Sequence, residues 1–193
     1  MGLISFCLFF ILGATNYPGG SNVNPHSHGY NWSTNYWSEL LGENAKNGQV
    51  NTARPFGLTG MLIFACTMGF FWYKLPIGLR LPDLQRTILQ LSGILSMICS
   101  TLIFGQAHDV FITLSVTFGS IAFFLTLIGL WNNGNRLLFT FALACLMLIL
   151  LNTIIYLTGW MIISLPILQK LTFSAGILWT GFTAIRIARE AHM

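Results

Sequence analysis

The chain has 193 residues, of which 54% are hydrophobic and only 7% charged, against roughly a quarter charged in an average soluble chain. That is too little charge to clothe a water-exposed surface, so a soluble globular domain is excluded. The formal net charge of +4 comes with no basic patch interleaved with stacking aromatics, which excludes nucleic acid as a partner.

The first apolar block, Gly2 to Thr15, would reach only about 21 Å as a helix, against a hydrocarbon core of about 30 Å. An apolar run ending in Gly13 and Ala14 resembles the core of a secretory signal, but the basic residues that open such a signal are missing. The reading adopted is a spanning helix over about residues 2–17, displaced toward the interface and stopped by Pro18, Gly19 and Gly20.

The connection that follows, Asn16 to Pro55, is about 40 residues long, well beyond the usual link in a compact domain. Tyr17, Tyr30, Trp32, Tyr36 and Trp37 predict that it is ordered, because such rings anchor at headgroup level or pack down on helices. Asn35 to Gly42 reads as a short amphipathic helix lying on the membrane and closed by a glycine cap. Trp32, Tyr36 and Trp37 are the expected binding surface.

Five further blocks have membrane-spanning length: 56–73, 87–105, 110–131, 137–160 and 162–185. With the first segment they give an all-α, polytopic bundle of six spans, a single transmembrane domain over 1–193 with a long ordered outer loop. With the N-terminus cytoplasmic, Lys74, Arg80, Arg86, Arg136, Arg186 and Arg189 fall inside, while Lys46, Arg54 and Lys170 fall outside. The positive-inside rule therefore puts both termini in the cytoplasm and the long loop outside. Cys7, Cys66, Cys99 and Cys145 lie in apolar segments without ligand spacing and read as small core hydrophobes. Asn152, Gln90, Ser115 and the threonines of the spans read as hydrogen-bonding glue between helices.

The candidate chemistry gathers on the outer face. His26 and His28, as an HxH pair, have the makings of two metal ligands, although a loop rich in Gly, Asn and Ser equally suits two solvated histidines. Ser38, Glu39, His108 and Asp109 formally supply a nucleophile, acids and a base, and are expected to converge at the outer mouth. Asp109 also suits a helix N-cap. The sequence assigns no cofactor.

The order Tyr17-Pro18-Gly19-Gly20, Gly29-Tyr30, Trp37-Ser38-Glu39-Leu40-Leu41-Gly42, then His108 and Gln169-Lys170 resembles a loosely defined group of six-helix bacterial membrane proteins of unknown function related to the Frag1, DRAM and Sfk1 proteins. The resemblance covers most of the chain; Leu41 is an extra residue in the serine-acid-leucine-glycine element. It implies a six-helix bundle in a bacterial inner membrane, a polar outer face around Ser38, Glu39 and His108, and an association with lipid handling, but no reaction. Two classes of function follow. The first is a protein that binds membrane lipid or another membrane-protein subunit through its aromatic outer face. The second is a lipid-modifying hydrolase or transferase using Ser38, His108 and an acid, or a histidine-held metal. A solute carrier is disfavoured by the lack of a charged relay through the spans.

Overall fold

The computed structural model describes residues 1–102 and 108–190, with the side chains of 108, 109 and 190 excepted. Among them the fold is all-α, with helices α1 (Gly2–Thr15), α2 (Arg54–Gly78), α3 (Asp83–Thr101), α4 (His108–Asn132), α5 (Arg136–Thr158) and α6 (Leu165–Glu190). Short 3-10 helices cover Trp37–Leu41 and Ile162–Ser164. No strand forms among the described residues; two isolated bridges, Gly19 with His28 and Asn44 with Val50, are the extended pairings within the loop.

Four segments are long and apolar enough to cross a membrane: Arg54–Gly78, Val110–Asn132, Arg136–Thr158 and Ile162–Arg189. They present large apolar side chains outward, among them Phe70 at 65%, Phe124 at 63% and Met147 at 65% exposure, as helices do whose solvent is lipid. α1 is the shorter apolar helix that its residues predicted. α3 falls outside the four, because its 19 residues open with Asp83 and Arg86, paired at 2.8 Å.

By contacts the chain divides into two compact units, one of residues 1–63 and 144–177, the other of 64–143 and 178–193. In the second unit, α3 and α4 pack closely. Ser96 Oγ donates to Ser115 O at 2.8 Å and Ser115 Oγ donates to Ser96 O at 3.0 Å, a reciprocal bond between backbones that small residues bring together. A methyl group on Gly119 would lie 2.9 Å from Ser96 Oγ, and one on Gly93 would enter the Trp72 ring. Gln90 Nε2 donates to Tyr73 O at 2.8 Å, and the buried Trp179 indole to Leu138 O at 3.0 Å. These are the neutral links expected of a bundle without buried charge. α2 continues past the predicted end at Tyr73, through Pro76, and closes where Arg80 turns left-handed at φ 49° and Leu81 N–H reaches back to Pro76 O.

In the first unit, α1 carries the core. Phe6 and Phe10, at 0% and 3% exposure, stack on one another and on Trp37. Leu40, wholly buried, fits where α2 offers no side chain: a Cβ on Gly57 would stand 2.7 Å from Leu40 O. The long loop is thus fixed to helices at its centre.

Candidate functional site

The long loop folds because glycine and asparagine let its backbone bond to itself. Gly19 and Gly20 both have positive φ, and a side chain on Gly20 would collide with Asn47 and Lys46. Across this pinch Gly20 N–H donates to Ser27 O at 2.8 Å and Asn47 N–H to Gly19 O at 3.2 Å. Asn35, fully buried, is the hub. Its Nδ2 donates to Gly20 O at 2.6 Å and to Glu39 Oε2, and its Oδ1 accepts Asn31 N–H at 2.8 Å. Asn51 Nδ2 closes the other side of the loop by donating to Glu39 O and Gly42 O, each at 2.9 Å.

Two neighbours on α6 pin this loop. Gln169 Oε1 accepts Trp37 N–H at 3.0 Å. The Lys170 ammonium donates to Asn35 O at 2.5 Å and Pro166 O at 3.1 Å, and lies 5.5 Å from the Tyr30 ring centre. Lys170, counted with the outside charges in the sequence although it falls within the 162–185 block, sits on α6 near its start. Lys170 bonds the main-chain carbonyl of Asn35 and Glu39 its side-chain amide, so one residue holds both opposite charges. Burial pushes the Glu39 carboxyl above the ordinary carboxylate range, against the opposing pull of the Asn35 amide and the two lysines. Its second oxygen, Oε1, is buried with no hydrogen-bond partner among the described residues. Burial likewise pushes the Tyr30 phenol well above its usual value, so Tyr30 remains a neutral donor, bonded to Asn35 O at 3.2 Å.

Beside this hub opens a groove of about 540 Å³, within the range of small-molecule sites. The loop contributes Asn22, Tyr36 and Ser38 to its wall, and the last turns of α5 contribute Asn152, Thr153 and Tyr156. Ile162, Leu165 and Gln169 complete it where α5 gives way to α6. No family model, curated protein or solved structure matches the chain.

The structure divides the residues that the sequence singled out. Ser38 is exposed and Tyr36 half-buried, both in the groove wall. Glu39, next in sequence, turns the other way to Asn35. Trp37 points into the aromatic core, 5.5 Å from Phe173 as well as against Phe6 and Phe10, with its indole N–H buried and without a partner among the described residues. Trp32 stays 48% exposed, edge-on to Tyr30. His26 and His28 are both exposed, and no group of three His, Cys, Asp or Glu side chains suited to a metal occurs among the described residues. α4 begins at His108, but the side chains of His108 and Asp109 lie outside the described residues, and with them the expected convergence on Ser38.

The segment expected to form a helix ended by a glycine cap is a 3-10 helix, Trp37–Leu41. Gly42 is extended at φ −65° and ψ 157°, not left-handed, because the Asn51 amide takes the Gly42 carbonyl. Sequence reading missed Asn22, Asn35, Thr153 and Tyr156. Part of the signal was present in Asn152-Thr153 and Tyr156, polar groups interrupting the most apolar span. Ser38 shares the groove with amides, hydroxyls and aliphatic carbons, and among the described residues no side chain in the wall is a base, an arrangement suited to binding.

Proposed function

We propose that this chain is a multi-pass membrane protein that binds lipid at its extracytoplasmic face, in the groove between the outer loop and the α5–α6 turn. The observation that carries this reading is the groove's setting. It opens beside the bare apolar residues of that turn, where Leu157 is 76% exposed, Trp160 67% and Ile163 69%, while its own wall sets amides and hydroxyls among apolar surface. A recess that carries amides and hydroxyls and runs out onto aliphatic and indole surface matches a lipid, whose headgroup and chains need the two environments side by side. The resemblance of the loop motifs to a group of bacterial membrane proteins of unknown function, loosely associated with lipid handling or membrane homeostasis, agrees with this reading.

The catalytic alternative has less support, since among the described residues no side chain of the groove is a base placed to take the Ser38 proton. Ser38→Trp tests the binding reading, because an exposed serine can be replaced by a bulky ring that fills the recess without disturbing the core. The protein purified from membranes in mild detergent is expected to carry severalfold less co-purifying lipid as the variant, at unchanged melting temperature. Equal lipid in both would contradict the reading.

A further inference from the structure

The groove wall says which headgroup it suits. Every polar side chain in it is an amide or a hydroxyl, groups that offer both donors and acceptors. Several are half-committed, which leaves a defined remainder. Asn152 Nδ2 is held by Thr172 Oγ1 at 2.6 Å and Leu148 O at 2.9 Å, which leaves its Oδ1 as an acceptor. Gln169 Oε1 is taken by Trp37 N–H, which leaves its Nε2 as a donor. Ser38 and Tyr156, both exposed, can donate and accept.

Among the described residues the wall holds no charged side chain, and the nearest described charges are engaged with the loop. The Lys170 ammonium directs two of its three N–H donors to Asn35 O and Pro166 O, and the bonded oxygen of Glu39 accepts from the Asn35 amide, so both are held at the loop hub and neither is in the groove wall. The start of α6 is also a poor anion site: Pro166 has no N–H, and the Leu165 N–H is already given to Ile162 O. A phosphodiester moved into this recess would lose its hydration without a cation to replace it. A ring carrying several hydroxyls loses little, because each hydroxyl meets an amide or hydroxyl of either sense, and the Tyr36 and Tyr156 rings add flat apolar surface.

We propose that the groove holds the uncharged, hydroxyl-rich sugar headgroup of a glycosyl diacylglycerol in preference to a phosphodiester headgroup. This rests on the lipid-binding reading above and gives that site its ligand class. Ser38 and Tyr156 read the sugar hydroxyls, and the exposed residues Leu157 and Ile163 receive the chains.

The test is native mass spectrometry of the full chain, purified and delipidated in a sugar-free polyoxyethylene detergent, then offered equimolar monoglucosyl diacylglycerol and phosphatidylglycerol with matched acyl chains. The glucosyl lipid is expected to be retained about tenfold more than phosphatidylglycerol, the ratio that one or two net hydrogen bonds supply. Ser38→Ala and Tyr156→Phe should each reduce that ratio without lowering the melting temperature, since both side chains are exposed. Equal retention of the two lipids, lost for both in Ser38→Trp, would overturn the headgroup assignment and leave lipid binding standing. Retention of neither would overturn both. Methyl glucoside displacing the glucosyl lipid at the lipid's own concentration would uphold the sugar chemistry and overturn a lipid as its source.

Discussion

Glu39 is held by Asn35 through one carboxylate oxygen while the other is buried with no described partner, and this asymmetry has a pH signature. Its carboxyl is raised in the fold, chiefly by burial, so the folded chain holds the proton more tightly than the unfolded chain. Below the ordinary glutamate pKa both forms are protonated and the contribution to stability is complete. As pH rises through the raised value the folded carboxyl must ionise in a poor environment, and that contribution is lost. The melting temperature in detergent should therefore fall as pH rises above the ordinary glutamate range. Glu39→Gln, which keeps an acceptor for Asn35 and cannot ionise, should flatten the slope; an unchanged slope would show that the carboxyl is not responsible. The sequence made Glu39 and Trp37 visible as candidates but not their directions. On a 3-10 helix, successive side chains point about 120° apart, so Ser38 faces the groove, Glu39 the Asn35 hub and Trp37 the phenylalanines. Which one turned outward was decided by Asn35, a residue with no chemical signature of its own.

At the scale of elements, helix existence was legible and helix contact was not. Apolar blocks of spanning length located α2, α4, α5 and α6 to within a few residues, because nothing but a helix satisfies its own backbone in lipid. α2 overran its predicted end at Tyr73 because Pro76 is accommodated inside the helix. The contacts depend on glycines with no GxxxG spacing to reveal them. Gly93 lies against Trp72, where an added Cβ would come within 2.9 Å of Cδ2 and closer still to the atoms before it, whereas Gly176 has nothing within 4 Å. Gly93→Ala should destabilise the protein by about 1–3 kcal/mol through overpacking, and Gly176→Ala should be close to neutral. Thermal melts of the two variants in detergent check this; equal losses would mean that the α2–α3 approach is looser than described.

Over the whole molecule, charge and aromatic placement carry the functional account. Segments with almost no charge, a loop tied down through Asn35 and Lys170, and a neutral groove beside bare Leu157, Trp160 and Ile163 are what a protein needs to hold a lipid at the membrane surface. The long loop was recognisable as ordered from its aromatics. The groove was not recognisable, because its wall joins Asn22, Ser38, Asn152 and Gln169 across more than a hundred residues of sequence, and neutral side chains leave no pattern in one chain. The most direct measurement places a photoreactive benzophenone residue at Ser38, and as a control at the exposed Gln49, in cells, followed by irradiation and intact-mass analysis. The account predicts an adduct of lipid mass at position 38 and none at 49. Adducts of protein mass alone at position 38, or the same yield of lipid at both positions, would contradict it.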